Sequence, residues 1–386
     1  MSARILSGRD TASGNFVEIE IEAGLIRDVR ISENDGQSAI DSWLSSGFVD
    51  LQVNGYRGYD LNATDIEPEG VIALTRELLA VGVTTFLPTI ITASEEQIIA
   101  SLRAIARARQ MDTAVAEAIP FAHLEGPHIH AEDGARGAHP MEHVRAPHLA
   151  EFDRWQADSG CTVGLVTLSP HWPGAQAYIV RLKARGVRVA IGHTHATNEE
   201  ISAAVAAGAT LSTHLGNGIA SMLPRHPNPI WTQLADDRLW ASLIADGHHL
   251  PAETLKVILR AKGIERCILV SDAVALAGLP TGIYQAPIGG KVEVRADGRL
   301  NMAGTNMLAG SGSSMKDDIA YLVRSGLTSL GDAVRMATIN PARFLGQSAE
   351  LTVGAQANIV QFYMDDVSGK IEIQSVIACK RSFHAR

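Results

Sequence analysis

The sequence predicts an α/β fold, a (β/α)8 TIM barrel with a small β-sandwich domain formed by both chain termini. Three observations predict it: short alternating apolar runs before any helical pattern, strand-like and helix-like segments in alternation through the middle, and strand-like runs again at the end. With 386 residues there is room for a barrel, which typically takes about 250, and a smaller appendage. The expected divisions are 1–46 and 347–386 for the small domain and 47–346 for the barrel.

Residues 3–31 hold RILSG, FVEIEIE and LIRDVRI, separated by Asp, Ser, Gly and Asn, the pattern of half-buried antiparallel strands. From residue 47 the expected barrel strands are GFVDLQVN, TTFLPTI, FAHLEG, VGLVTLSP, RVAIGHT, TLSTHLGN, LWASLIADG and RCILVSDA. Amphipathic segments fall between several of them, among them PEGVIALTRELLAVG, SEEQIIASLRAIARARQ, NEEISAAVAAG and PAETLKVILRAKG. Eight such repeats favour a closed parallel barrel, whose active site lies where the βα loops converge. QAPIGGKVEVRADGRLNMAGT then reads as an inserted hairpin, and MKDDIAYLVRSG and SLGDAVRMATI as closing helices. The runs NIVQFYM, KIEIQSVIA and CKRSFHA complete the small domain.

Hydrophobic residues at 46% and charged residues at 19% describe a globular enzyme rather than a disordered chain. A formal charge of -9 argues against nucleic acid as a partner, and no run is long and apolar enough to span a membrane. Small molecules are the expected partners. Cys161, Cys267 and Cys379 are far apart, with no CxxC, so neither a disulfide framework nor a cysteine zinc site is expected. The start MSARILSGRD lacks the pattern of a secretory signal, and a cytoplasmic location is expected.

Four apolar runs stop at ligand-type residues: Glu125 in FAHLEG, His193 in VAIGHTHA, His214 in TLSTHLGN and Asp272 in CILVSDA. Two imidazoles and a carboxylate suit zinc or a similar divalent ion, and catalytic sites of this kind keep a coordination position open for water. Asp272 is then free to handle protons. His195, two residues past His193, points the same way if the strand continues, so either of the two could be the ligand. Gln52 and Asn54 in DLQVNG both point into the barrel mouth by the same alternation. Amides are weak ligands beside His, so one tight ion per subunit is expected, with these amides bonded to water or backbone. His128, His130, His139, His248, His249, Asn217, Gly218 and Arg225 are further candidates, each taken alone more often a loop residue. AGSGSSM at 309–315 precedes a helix and offers backbone donors to an anion, but it lacks the Lys of a P-loop.

Taken together, GFVDLQVNG, HLEGP, GHTHAT, THLGNG, IADGHH, LVSDA, LAGS and VRMATINPARFLG resemble the N-acetylglucosamine-6-phosphate deacetylase family of the amidohydrolase superfamily. The resemblance runs nearly end to end. It implies a barrel of the metal-dependent hydrolase type, a single catalytic metal, and a homodimer whose partner loop completes the substrate site. By the same resemblance Glu125, His193 and His214 hold the metal, Asp272 is the acid/base and His139 polarises the acetyl carbonyl. His249, Asn217 and the backbone near Gly218 hold the sugar phosphate, Leu308 of LAGS lines the substrate site, and Arg225 reaches in from the neighbouring subunit. The pair Gln52 and Asn54 replaces the His-x-His of binuclear superfamily members, as in single-metal deacetylases. One loop departs from the family pattern: Gly216 stands where an aromatic is usual and Pro224 precedes Arg225, although Arg225 keeps its place eleven residues after His214.

The implied activity is removal of the acetyl group from an N-acetyl amino sugar, N-acetylglucosamine 6-phosphate first. A related N-acetylhexosamine or another N-acyl substrate is the alternative, and an inert scaffold ranks last because all four site residues are present. Zinc is the first choice of metal, with iron, cobalt and manganese also compatible.

Overall fold

The computed structural model describes residues 4–31, 42–286, 290–305, 307–379 and 381–383. Parts of the expected small domain (1–3, 32–41, Lys380 and 384–386) and of the expected hairpin (287–289) lie outside the described residues. Strands β1 (Arg4–Asp10), β2 (Phe16–Glu22) and β3 (Leu25–Ile31) form an antiparallel meander, and β4 (Trp43–Ser46) runs parallel to β1. In β2 the alternation FVEIEIE buries Val17, Ile19 and Ile21 on one face.

The barrel opens with β5 (Phe48–Val53) and a short hairpin, β6 (Gly55–Tyr56) and β7 (Tyr59–Asp60). Next come α1 (Pro68–Ala80), β8 (Val83–Ile91), α2 (Glu95–Met111), α3 (Thr113–Ala118), β9 (Ala122–Glu125), α4 (Leu149–Ser159), β10 (Val163–Leu168) and α5 (Ala175–Ala184). β11 (Arg188–Ile191), α6 (Asn198–Ala207), β12 (Leu211–Ser212), α7 (Pro229–Ala235), β13 (Trp240–Leu243), α8 (Ala252–Lys262) and β14 (Cys267–Leu269) complete the repeats. Helix starts follow side-chain chemistry. Ser94 accepts from the Gln97 amide ahead of α2, and Thr197 and Glu200 satisfy each other's backbone N–H at the start of α6.

The eight strands stand in the order β14-β13-β12-β11-β10-β9-β8-β5, all pairs parallel. The ends of this sheet meet. The Asp272 amide donates to the Gln52 carbonyl at 3.0 Å, Val53 bridges Ala273 in parallel, and the Asp50 carboxylate accepts the Ser271 amide at 3.2 Å. The interior is filled by Val49, Leu51, Leu87, Leu165, Ala190, Leu211, Ile268 and Val270, and Phe344 and Leu345 pack against the same cluster. Each such side chain, fully buried, contributes about 1.5–3 kcal/mol relative to exposure, which makes this a packed core rather than a pore.

A three-stranded sheet of β15 (Gly282–Ala286), β16 (Gly290–Val294) and β17 (Leu300–Met302) stands where a hairpin was expected, because the chain turns into strand already at Gly282. Helices α9 (Met315–Arg324), α10 (Leu330–Ala337) and α11 (Ile339–Leu345) follow. Strands β18 (Ile359–Met364), β19 (Ile371–Ala378) and β20 (Arg381–Phe383) return to the first sheet, where β18 pairs antiparallel with β4. The result is one seven-stranded sheet, β20-β19-β18-β4-β1-β2-β3, drawn from both ends of the chain. Leu6, Ile19, Ile26, Leu44, Ile359 and Ile377, from both halves of that sheet, share one apolar cluster, as a β-domain with its own core requires.

Asp50 is the charged group in the seam between β5 and β14. Burial pushes its carboxyl up to about 7, against the hydrogen bonds from Ser271 and Gln52. A folded-state pKa above the unfolded value means that the fold prefers the protonated acid. Its contribution is fully present below the unfolded value of 3.8 and is lost as pH rises through about 7. Asp50→Asn removes that dependence. The stability of the wild type relative to the variant, measured by urea unfolding, is expected to fall by about 4 kcal/mol between acid and neutral pH. A flat difference across that range contradicts it.

Candidate metal centre and active site

Glu125 ends β9, and the chain turns at Gly126 just beyond it. β11 stops at Ile191 and β12 at Ser212, each two residues before its histidine, and β14 stops at Leu269, three before Asp272. Among the described residues six non-glycine positions have positive φ, and three of them are His193 (48°), His214 (28°) and Asp272 (49°). L-residues are strained there, at a cost of order 1–3 kcal/mol each. Left-handed backbone at three strand ends turns three side chains inward toward a common point, where a continuing strand would alternate them. This decides between His193 and His195. The strand does not continue, and His195 instead lies at the surface, with its Nδ1 on the Glu132 carboxylate.

The inward groups converge. His214 Nε2 lies 2.9 Å and His193 Nε2 3.3 Å from Glu125 Oε1, and the two Nε2 atoms are 3.1 Å apart. One ligand atom from each residue falls within 4.8 Å of the others, and all three residues are buried. His193 Nδ1 lies 2.9 Å from the Ala135 carbonyl, which can only accept, so the neutral ring carries its proton there and turns a bare Nε2 lone pair inward. Burial would lower His214, yet the Glu125 carboxylate overrides it and lifts the ring to about 9. Burial would likewise raise Glu125, yet the two imidazoles hold it well below the usual carboxylate range. The cluster therefore demands positive charge at its centre. Ligands on one tetrahedral divalent ion are separated by about 3.3 Å, so the donor set and its spacing fit such an ion.

Around this group sit the amides and acids of the barrel mouth. Gln52 Nε2 donates to Glu125 Oε1 and Asn54 Nδ2 to Asp272 Oδ1, both at 2.7 Å. The expectation that these amides bond water or backbone is corrected: their partners are the two site carboxylates, because β14 closes against β5 and the end of β9, one strand beyond β8, opens onto the same mouth. Burial pushes Asp272 up to about 6, and the neighbouring Glu125 charge adds to the effect. His139 packs against His193 with ring centroids 4.3 Å apart and planes tilted by 56°, and its Nδ1 lies 2.8 Å from the Thr92 hydroxyl. Burial pulls His139 down to about 3, so the ring is neutral.

Of the remaining candidates, His249 is close enough to Asp272 to act on its charge, and Asn217 presents a buried Nδ2 without a partner. The Gly218 carbonyl accepts from the Thr194 amide at 3.1 Å, and Gly218 lies against the face of His193. Leu308 is half-buried and bridges Asn301, while Arg225 is exposed on the loop after β12 and takes no part in the bonds above. His128 is a core residue, stacked on Trp155 and bonded to the Arg145 carbonyl. His130 packs against the tilted ring of His171. Ser311 and Ser314 of AGSGSSM lead into α9, whose first turn is capped reciprocally by Ser314 and Asp317.

Three contributors were missed from the sequence: Thr92, the Ala135 carbonyl and the buried His123. His123 lies two residues before Glu125 on the same face of β9, with its Nε2 2.8 Å from the Thr167 hydroxyl. The period-two rule applied backwards from Glu125 finds His123. Nothing local marks Thr92 or Ala135.

Comparison with known proteins agrees with this fold. The model of the Amidohydrolase family matches residues 43–379. The chain belongs to the amidohydrolase family. Among similar amidohydrolases, the N-acetylgalactosamine-6-phosphate deacetylase of Escherichia coli O157:H7 is 34% identical over 336 residues, covering 86% of this chain and 85% of its own length. The N-acetylglucosamine-6-phosphate deacetylase of Bacillus subtilis (strain 168) is 31% identical over 332 residues, covering 84% and 81%. A mutant N-acetyl-D-glucosamine-6-phosphate deacetylase from Mycobacterium smegmatis, solved with N-acetyl-D-glucosamine-6-phosphate, superposes with a TM-score of 0.86 at 29% identity over 99% of both chains.

A Cβ at Gly218 would stand 2.7 Å from His193 Nδ1, on backbone already at φ +57°. Gly218→Ala is expected to tilt the imidazole and weaken divalent-metal affinity by roughly 10–100-fold, the effect typical of losing a ligand's supporting contact. Equilibrium dialysis against a competing chelator measures it, and unchanged affinity refutes the packing role.

Proposed function

We propose that this chain is a metal-dependent deacetylase of an N-acetylhexosamine 6-phosphate, releasing acetate and the free amino sugar phosphate. The observation that carries the reading is the convergence of the Glu125, His193 and His214 donor atoms beside a fourth, uncommitted acid, Asp272. Glu125, His193 and His214 hold one divalent ion per subunit, zinc in the first place. Bound there, the ion supplies Lewis acidity, favouring ionisation of water and polarising a carbonyl.

The chain's own residues do the rest. Asp272, fixed by Asn54, takes the proton of the attacking water; a dication nearby favours its ionised form, offsetting the effect of burial. Neutral His139 serves in the tautomer whose Nδ1 accepts the Thr92 hydroxyl 2.8 Å away, because only that tautomer keeps a proton on Nε2 to donate to the oxyanion that forms at the acetyl carbon. Asp272 then returns its proton to the nitrogen, because an amide anion is too basic to leave unprotonated. His249, Asn217 and the backbone at Gly218 hold the sugar and its phosphate with Leu308 lining the site, and Arg225 of the partner subunit completes it in a homodimer. The divisions at 46/47 and 346/347 make the barrel the catalytic unit and the terminal sheet its support.

N-acetylglucosamine 6-phosphate is the first substrate proposed. The similarity to the Escherichia coli relative supports N-acetylgalactosamine 6-phosphate as the second. A screen of N-acetylated glucosamine, galactosamine and mannosamine, each with and without the 6-phosphate, separates them. Preference for an unphosphorylated sugar refutes the phosphate reading, and Arg225→Ala is expected to abolish any preference for the phosphorylated one.

Asp272→Asn tests the proton transfer. Turnover is expected to fall by about 10²–10⁴-fold with metal content unchanged. Near-normal turnover in the metal-loaded variant contradicts the assignment, as does full activity of the wild type after exhaustive chelation.

A further inference from the structure

The seventh βα loop, after β13, carries a buried carboxylate that the proposed chemistry does not use. Asp246 is 7% exposed, and its oxygens are fully engaged. Oδ1 accepts the backbone amides of His248 at 2.8 Å and His249 at 2.9 Å, and Oδ2 lies 2.7 Å from His249 Nδ1. One side chain therefore closes the turn and grips the ring of the residue three positions on. A carboxylate can only accept, so Nδ1 of His249 must carry a proton, which fixes the face of the ring; phosphate oxygens also accept, so an Nε2 that meets a phosphate must carry a proton too, and the Asp246 carboxylate is the counter-charge such a doubly protonated ring needs.

The surroundings reinforce the grip. Gly247 lies directly beneath the Tyr321 ring of α9, so closely that a Cβ there would stand 2.4 Å from it, and the turn has no room to shift. Asp318, on the first turn of α9, is fully buried, and no side chain bonds its oxygens, the Ala245 backbone being the hydrogen-bond donor near them. Burial, first, and the nearby Asp246 charge push Asp318 well above the usual carboxylate range. Burial would raise Asp246 as well, but the His249 contact holds it below the ordinary value. The negative charge of the pair thus stays on the member that holds the imidazole.

We infer that Asp246 is a positioning residue which orients His249 through its Nδ1–H and thereby aims Nε2 at the phosphate of the sugar substrate. The inference rests on the proposed deacetylase reading for its kinetic consequence but not for its spectroscopic one. Two variants separate the ring contact from the turn. Asp246→Asn removes the charge. Asp246→Ser retains a short oxygen acceptor for the loop amides, as serine turns do, but does not reach His249.

In both variants KM for the phosphorylated substrate is expected to rise about tenfold with kcat changed little, the signature of lost ground-state binding. KM for the unphosphorylated sugar is expected to stay unchanged. In a His249→Ala background the same substitutions are expected to have no further effect, since both keep an oxygen acceptor for the loop amides and lose only the ring contact. Additive losses in this cycle, or equal losses on both sugars, overturn the inference. Heteronuclear NMR of the His249 ring nitrogens reads the tautomer without any substrate. Protonated Nδ1 is expected in the wild type and a mixed state in Asp246→Ser, and unchanged nitrogen shifts overturn the inference. If the wild type deacetylates none of these sugars, the deacetylase reading fails, while the ring-nitrogen spectra still decide the role of Asp246.

Discussion

The site depends on one electrostatic constraint: a buried carboxylate and two buried imidazoles aim their donor atoms at a single point and need positive charge there. Glu125 Oε1 already accepts from Gln52 and lies within 3.3 Å of both histidines, so the fold spends no other cation on it. An uncompensated carboxylate in such a place costs several kcal/mol, and a proton shared with His214 relieves only part of that. A divalent ion satisfies all three donors together. The residues that hold the donors apart, and the strained backbone that turns them inward, make sense as the means of keeping that point vacant of protein atoms.

The strain is distributed according to this need. His193, His214 and Asp272 follow strands that end early, and each adopts left-handed backbone at the mouth. The neighbouring strands hold them there through bonds between strand ends: the Thr213 amide to the Ile191 carbonyl, the His214 amide to the Ser242 hydroxyl, and the Asp272 amide to the Gln52 carbonyl. Costs of a few kcal/mol are sustained because the eight-stranded core beneath is fully packed. Side chains without a role in the chemistry then orient those that have one. Gln52 holds Glu125, Asn54 holds Asp272, Thr92 holds His139 and the Ala135 carbonyl holds His193. Each of these contacts joins a different pair of chain segments, so the site is rigid only once the barrel has closed.

The barrel was legible from the sequence because strand and helix periods differ, and the runs ending at Glu125, His193, His214 and Asp272 switch from apolar to ligand-type at one residue. The choice between His193 and His195 was not legible, since alternation assumes a strand that continues and φ at His193 ends it. The partners of Gln52 and Asn54 were missed for a related reason: pattern says which way a side chain points, and only the closed sheet says what stands opposite. Thr92 and Ala135 lie 47 and 58 residues from the histidines they orient, and a threonine or a backbone carbonyl carries no mark of such a task. Asp246 was passed over in IADGHH because the two histidines beside it drew the chemical reading, although an acid three residues before a histidine in a glycine turn is the arrangement that lets one side chain cap a loop and hold a ring.

Chemistry and selection occupy different physical layers of this molecule. The groups proposed to act on the acetyl function are buried, sit at strand ends apart from His139 on the loop after β9, and are fixed by contacts between separate chain segments. The groups assigned to the rest of the substrate lie on loops, and the loop after β12 places Met222 at 83% exposure and Arg225 out in solvent. Exposed loop residues can change without disturbing the core, whereas Gly218 cannot gain even a methyl group without striking His193. A barrel built in this way keeps its reaction while its sugar preference drifts. Relatives near one-third identity that are named for two different hexosamine phosphates are what such a division of labour produces. The loop after β12 belongs to both layers: its first residues, Asn217 and Gly218, touch the site, and its far end carries the arginine. Its departures from the family pattern, at Gly216 and Pro224, fall on either side of that boundary and so bear on which sugar is held rather than on whether its amide is cleaved.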